Sequence, residues 1–208
     1  MSDAMNASRL LPRALDGDPV ALGDLLMQEN DRLIRIVRFR MDPRLRGSID
    51  AADIVQETYV DAMARFDNYR GDPQMPFFLW LRFLAMQKLC DFHRRHFGVQ
   101  ARDVSREISL AGGPSPQVSS TVLAAQLVGK LTTPSQAAIR AEAHLQLEDA
   151  LNLMEPIDRE VIAMRHFEWL SNKETSELLG ISESAASNRY VRAVKHLRAI
   201  LDANGGAV

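Results

Sequence analysis

Apolar residues recur every three or four positions along most of this chain, the spacing that gives a helix one apolar face. The first such stretch opens at Asp18 and Pro19, which suit the cap and the first position of a helix. It predicts one helix that runs to about Met41, before Asp42 and Pro43 end it. The same spacing continues in later segments, so the pattern predicts an all-α fold.

The next helix is predicted after Asp50, a suitable cap, and it has two different faces. The apolar face is expected to pack inward and consists of Val55, Tyr59, Ala62, Met63 and Phe66. The other face carries the acidic stripe, which we define as Asp53, Gln56, Glu57 and Asp61. Such a stripe is usually only a solvated surface, but it also suits the docking of a basic helix from a partner.

The helix that follows is apolar on nearly every side before it becomes basic at its C-terminal end. Its expected core residues are Phe77, Trp80, Leu81, Leu84 and Leu89. Arg94 and Arg95, with His93 and His96, place positive charge where the helix dipole favours it and where a nucleic-acid backbone could lie. A metal hydrolase site built from Asp91, His93 and His96 is a weaker interpretation, because this histidine pair lacks a well-spaced third ligand.

Residues 98–134 are rich in turn-forming residues and contain one short apolar piece, LAAQLV. A connection of this length without regular structure is uncommon inside a compact domain. The sequence therefore predicts two small helical domains, residues 18–97 and 135–202, joined by a flexible linker over residues 98–134.

The C-terminal part has the local signals of a helix-turn-helix. Ser171 and Glu174 have the spacing of a capping box, and Gly180 suits a left-handed helix end, after which Ile181 is expected to return to the core. Ser182 then caps a second helix with one packing face, Ala186, Tyr190, Ala193, Leu197 and Ile200. Its opposite face carries Ser184, Ser187, Asn188, Val191, Arg192, Lys195 and Arg198, a set suited to DNA bases and phosphates.

Composition narrows the function classes. The chain has 208 residues and a net charge of −2, whereas a protein that simply coats DNA would carry a strong positive excess. It has no signal-peptide pattern and no window that approaches about 20 apolar residues, so we expect a cytoplasmic protein without membrane insertion. Cys90 is the single cysteine, and no phosphate loop, nucleophile elbow or paired-cysteine site occurs, so no cofactor, metal or catalytic activity is expected.

Several motifs of the first domain resemble region 2 of a known family. Asp53, Gln56 and Glu57 form an Asp-x-x-Gln-Glu pattern that is followed by an aromatic residue, Tyr59. Further matches are Phe77, Trp80 and Leu81, and then Asp91, Arg94 and Arg95. The chain resembles bacterial RNA polymerase sigma factors of the sigma-70 family, in the small two-domain group called extracytoplasmic function (ECF) sigma factors.

The second domain resembles region 4 of the same family. Pro156, Arg159, Glu160 and Val161 are similar to its opening, and residues 178–182, LLGIS, are similar to its helix-turn-helix turn. Three positions depart from the family pattern: Gln87 replaces asparagine, Ser176 replaces alanine, and Ala186 replaces a larger aliphatic residue.

The resemblance implies a role for each face. The acidic stripe would bind the beta-prime clamp helices of core RNA polymerase, and the beta flap and an anti-sigma factor are further implied partners. Promoter DNA would be read at the minus-ten element by Trp80, Gln87, Asp91, Arg94 and Arg95, and at the minus-thirty-five element by Ser184, Ser187, Asn188, Arg189, Arg192 and Lys195. Arg189 is expected to contact phosphate more than bases. Arg65 is expected to lie outside the faces proposed for polymerase and for DNA.

One alternative stays open at this point. The C-terminal helix-turn-helix could serve a regulator that acts without polymerase, while the N-terminal domain senses a signal or dimerises. That protein would bind a symmetric operator with half-sites one helical turn apart.

Overall fold

The computed structural model describes residues 2–45, 47–97, 107–110, 113–131 and 137–205. Within these residues the chain is all-α apart from one pair of short strands, which confirms the predicted fold class. None of the described helices is long and apolar enough to cross a bilayer. Two compact units form, one from Met1–Ser105 with Gly112–Ser115 and the other from Arg106–Ala111 with Pro116–Val208.

The N-terminal unit contains five helices in its described residues. They are α1 (Ser2–Leu15), α2 (Pro19–Gln28), α3 (Asn30–Arg40), α4 (Ala51–Gly71) and α5 (Phe77–Phe97), with a short 3-10 helix at Pro43–Leu45. The core lies where α3, α4 and α5 pack together, and Leu33, Ile36, Ile54, Leu81 and Leu89 are fully buried there. This packing places α4 beside α5, so that side chains of the two helices can meet at the surface.

The start of the chain differs from the sequence expectation in two ways. Helix α1 was not predicted, yet it packs on α2 and buries Leu10 and Ala14. The single helix predicted up to Met41 is wrong, because the chain breaks at Glu29 into α2 and α3. Asp18 does cap α2, and its carboxylate accepts hydrogen bonds from the backbone N–H groups of Val20 and Ala21.

The predicted linker contains regular structure. Two strands, β1 (Glu107–Leu110) and β2 (Gly113–Pro116), form a two-stranded sheet, and α6 spans Ser120–Leu131. Helix α6 packs on α7 (Ala137–Leu153) and buries Leu123, Ala124 and Val128. The prediction of a connection without structure is therefore wrong for these segments, because the apolar piece inside the linker finds a packing partner.

The C-terminal unit continues with α8 (Pro156–His166), α9 (Asn172–Leu179) and α10 (Glu183–Gly205). Proline stands at the first position of α8, as predicted, and Val161 and Met164 are fully buried. The carboxylate of Glu160 is also buried, and its Oε1 accepts a hydrogen bond of 2.9 Å from the backbone N–H of Val118. That bond fixes the chain just before α6 to α8.

Candidate functional site

The acidic stripe lies on the surface of α4. Asp53, Gln56 and Glu57 are exposed, and Asp61 is half-buried. Asp53 also has a structural task, because its Oδ2 accepts a hydrogen bond from the backbone N–H of Asp50 in the capping box that begins the helix. The stripe therefore offers negative charge at the surface from a helix whose start is well defined.

Two cations from the same unit face the stripe. Lys88 of α5 has its Nζ 3.0 Å from Asp61 Oδ2 and 4.0 Å from Glu57 Oε2. Arg65 lies 3.5 Å from Asp61, and its Nη1 also donates to Gln87 Oε1 at 3.4 Å. The expectation that Arg65 lies outside the proposed faces is wrong. Its guanidinium contacts Asp61 of the acidic stripe and Gln87 of the residues implied for the minus-ten element.

One residue assigned to the packing side of α4 is exposed. Met63 keeps 56% of its surface accessible, whereas Ala62 and Phe66 are buried. Successive residues of a helix are about 100° apart, and Met63 falls just outside the arc that faces α3 and α5. Val60 is also exposed, so the surface beside the acidic stripe includes two apolar side chains.

Trp80 belongs to an aromatic cluster between α4 and α5. Its ring stacks on Tyr69 with a centroid distance of 4.7 Å and also neighbours Phe66 and Phe77. The Tyr69 hydroxyl donates to the backbone carbonyl of Met75 at 3.0 Å, which fixes the loop before α5. Trp80 is half-buried, so its ring supports the start of α5 and still reaches solvent.

The C-terminal end of α5 is only partly as predicted. Arg94 and Arg95 are exposed; Arg94 lies 3.4 Å from Asp91, and Arg95 lies over the Phe92 ring. His93 does not add positive charge, because it is buried and its Nε2 accepts a hydrogen bond from the backbone N–H of Asp42. Burial lowers the pKa of His93, which favours the neutral ring.

The proposed metal ligands do not form a site. Among the described residues, no group of three or more His, Cys, Asp or Glu side chains could hold a metal ion. His96 is exposed at the helix end while His93 faces the interior. The geometry therefore gives no support to the metal hydrolase interpretation.

The helix-turn-helix has the local geometry that its sequence predicts. The Ser171 hydroxyl accepts from the backbone N–H of Glu174 at 3.1 Å, and the Glu174 carboxylate accepts from that of Ser171 at 2.7 Å. Gly180 ends α9 in the left-handed region, with φ of 64°. Ile181 does not return to the core, since 37% of it stays exposed.

Helix α10 has the two predicted faces. Ala186, Ala193 and Leu197 are buried, and the whole opposite set is exposed: Ser184, Ser187, Asn188, Val191, Arg192, Lys195 and Arg198. Ser182 caps the helix through its hydroxyl, which accepts from the backbone N–H of Ala185. Within the part of the chain that the structure describes, Arg192 and Lys195 form no ion pair, so both charges face solvent.

Polar contacts hold α10 against its neighbours, and the sequence analysis missed them. Arg189 Nη1 lies 2.9 Å from Asp158 Oδ1 of α8. The Tyr190 hydroxyl and His166 Nε2 are 2.7 Å apart, and the Asn172 amide donates to the backbone carbonyl of Glu183. No local sequence signal identifies these pairs, because each depends on how separate helices pack.

Comparison with known protein families gives one match in the N-terminal unit and one in the C-terminal unit. The model described as Sigma-70 region 2 matches residues 25–97, and the one described as Sigma-70, region 4 matches residues 144–197. The chain belongs to the sigma-70 family. The acidic stripe and the aromatic cluster thus lie in region 2 of a sigma factor, and the helix-turn-helix lies in region 4.

Individual sigma factors are similar along nearly the whole chain. CnrH of Cupriavidus metallidurans, an RNA polymerase sigma factor, is 29% identical over 96% of this chain and 96% of its own length. NccH of Alcaligenes xylosoxydans xylosoxydans is 27% identical over 98% of this chain and 99% of its own length. Further relatives are ECF RNA polymerase sigma factors.

A solved structure supports the fold. CnrH in complex with the cytosolic domain of CnrY matches with a TM-score of 0.50 and 24% identity, and the match covers 98% of this chain and 99% of that one. Helix α1, the two strands and α6 lie outside the residues that the two family models match.

Proposed function

We propose that this sigma factor binds core RNA polymerase and directs promoter-specific transcription initiation, using the acidic stripe for the enzyme and residues of both units for DNA. One observation carries the proposal. An exposed acidic helix face lies in region 2, and an exposed face of small polar and basic residues lies on the second helix of the helix-turn-helix in region 4.

The acidic stripe suits a basic helix as its partner. Asp53, Gln56, Glu57 and Asp61 occupy successive turns of one helix, so they can face a partner helix along about 12 Å. The proposed partner is the pair of beta-prime clamp helices of the polymerase. Long-range attraction between opposite charges would speed this association and make it sensitive to salt.

Helix α5 and the loop before it are proposed to recognise and open the minus-ten element. Trp80 offers a partly exposed ring beside the fixed loop, which suits stacking with an unpaired base. Arg94 and Arg95 offer positive charge at the far end of the helix. Gln87 and Asp91, on the surface between them, complete the proposed face.

Helix α10 is proposed to enter the major groove at the minus-thirty-five element. Its N-terminal part would contact base edges, as recognition helices of this motif do. Ser184, Ser187 and Asn188 lie in that part, whereas Arg192 and Lys195 follow one turn later and suit phosphates. Region 4 would also contact the beta flap of the polymerase.

The factor would act in the cytoplasm and would carry out no chemistry itself, since the polymerase synthesises the RNA. An anti-sigma factor is a further proposed partner. The relative CnrH has been solved in complex with the cytosolic domain of CnrY, which supports the idea of a protein that binds this factor.

The decisive experiment is transcription in vitro on a library of promoter fragments, with core polymerase alone and with this protein added. We expect transcripts from a defined subset of fragments only when the protein is present. Failure to bind core polymerase and to start any transcript would contradict the proposal. DNA binding without polymerase, on a symmetric site with half-sites one helical turn apart, would favour the regulator instead.

A further inference from the structure

Arg189 occupies an intermediate position on α10. With about 100° per residue, it lies about 60° from the buried line through Ala186 and about 60° from Arg192 on the exposed face. Its side chain is 31% exposed and its residue half-buried, whereas Ser187, Asn188 and Arg192 beside it are exposed. Arg189 therefore lies at the seam between α10 and its neighbours rather than on the face proposed for DNA.

Its charge is already matched inside the unit. The guanidinium Nη1 donates to Asp158 Oδ1 at 2.9 Å, and the Asp158 side chain is only 21% exposed. Asp158 belongs to the first turn of α8, 31 residues earlier in the chain. A charge-assisted bond between partly buried groups on two helices fixes their relative position, and moving Arg189 to a phosphate would leave Asp158 without this partner.

Two further hydrogen-bond contacts support the same arrangement. The bond between Tyr190 and His166 lies next to the ion pair along α10 and ties it to the other end of α8. The Asn172 amide, 2.7 Å from the backbone carbonyl of Glu183, ties α9 to the first residue of α10. The helix that carries the proposed base contacts is thus held along its first two turns, where small shifts would move Ser184 and Asn188 away from the bases.

We infer that Asp158 and Arg189 form a positioning pair that orients the recognition helix, and that Arg189 does not contact promoter phosphate. This replaces the role that sequence resemblance implies for Arg189. The inference rests on the proposed reading of the minus-thirty-five element by α10. It predicts that Asp158, a residue of α8 outside the proposed DNA-binding set, controls how well that element is distinguished.

The sharpest test is Asp158→Asn, because the two possible roles of Arg189 predict opposite changes in the affinity for promoter DNA. Removal of the partner carboxylate loosens α10 if the pair positions the helix, so binding to the intact element should weaken about threefold to tenfold. If Arg189 contacts phosphate instead, the same change frees its charge and should tighten binding. Glu155→Gln is the matched control, since Glu155 is exposed at the cap position of α8 and makes no side-chain cap bond.

The measurement uses the full chain assembled with core polymerase. Affinity is determined for a promoter fragment chosen in the transcription screen and for the same fragment with a scrambled minus-thirty-five element, at several salt concentrations. The positioning role predicts that Asp158→Asn lowers the ratio of the two affinities while the salt slope stays unchanged. Arg192→Ala, a proposed phosphate contact, should instead reduce the salt slope by about one.

A charge exchange completes the test. Asp158→Arg and Arg189→Asp should each impair discrimination, and the double variant should return it to within about twofold of the original protein. Thermal unfolding of each variant checks that it is folded. Three outcomes would overturn this inference without affecting the proposed function. They are tighter binding by Asp158→Asn, an effect of Asp158→Asn no larger than that of Glu155→Gln, and no recovery of discrimination in the double variant. An original holoenzyme that does not distinguish the two fragments would overturn the proposed function, and this inference with it.

Discussion

The two charged faces of this sigma factor differ in how far their charges are matched within the molecule. The acidic stripe of α4 already faces Lys88 and Arg65, and Asp53 takes part in a capping box. On α10, among the residues that the structure describes, Arg192 and Lys195 have no acidic partner. In the proposed function, a partner of the acidic stripe would have to displace these cations, whereas DNA would meet a face of α10 on which Arg192 and Lys195 already point to solvent.

This difference has an energetic meaning. An ion pair at the surface contributes about 0.2–1 kcal/mol, so Lys88 and Arg65 weaken the acidic stripe without cancelling it. A cation that faces only water loses little when it binds phosphate, and counterions released from DNA favour the complex. We therefore expect large effects when a charge is reversed on either face, and small effects when an internal partner is removed.

Glu57→Lys should have the largest effect. A positive charge at the centre of the stripe would oppose a basic partner helix and add to the charge of Lys88, at a cost of several kcal/mol. Capture of core polymerase by the tagged protein should fall at least about 100-fold, measured without DNA. Asp24→Lys makes the same charge change at an exposed position of α2 and should leave capture within about twofold. Equal capture by both variants would show that the stripe is not the docking face.

Arg192→Ala should weaken promoter binding by about 1–3 kcal/mol and make it less sensitive to salt. The measurement is the affinity of the holoenzyme for a selected promoter at several salt concentrations. Arg65→Ala is an unsuitable control, because Arg65 contacts Asp61 and Gln87. Arg13→Ala is suitable, since Arg13 lies on α1 and pairs with Asp18. An unchanged footprint over the upstream element would contradict the role of Arg192.

Gly180→Ala should destabilise the C-terminal unit by about 1–2 kcal/mol, because a side chain is strained at the φ of 64° that the turn requires. Gly23→Ala is the matched control: a Cβ at Gly23, inside α2, would meet nothing within 4 Å, and alanine favours the helix. In denaturant unfolding, Gly180→Ala should therefore lower the free energy of unfolding, whereas Gly23→Ala should raise it. A Gly180→Ala protein as stable as the original would mean that the turn accepts another conformation.

The sequence predicts best what local chemistry determines. Ser171, Glu174 and Gly180 act on their own backbone, so their spacing is sufficient to place the helix-turn-helix. The exposed sets on α4 and α10 also follow from helical spacing. The family resemblance suggested the roles proposed for these faces, which spacing alone left open.

What the sequence misses depends on tertiary packing. Helix α6 lies in a segment whose composition favours turns, and its burial against α7 outweighs that preference. Met63 lies at the edge of the apolar face of α4, where a small rotation decides burial, and Ile181 lies in the turn between α9 and α10, where packing alone decides how far it is covered. The partners of Asp61 and Arg189 come from other helices, 27 residues away for Lys88 and 31 for Asp158, and no spacing rule connects them.

Lys88→Gln should have the smallest effect on the capture of core polymerase. Whether capture becomes tighter or weaker tests directly whether Lys88 competes with the polymerase for the acidic stripe. The change removes the cation 3.0 Å from Asp61 while keeping a side chain of similar length, so the acidic stripe becomes more negative toward a basic partner. Capture of core polymerase should tighten about twofold to fivefold at low salt, and the gain should fade as salt screens the charges. Lys173→Gln, which removes an exposed lysine from α9, should leave capture unchanged. Weaker capture by Lys88→Gln would mean that Lys88 contacts the polymerase itself, and the acidic stripe would then be only part of a mixed-charge docking face.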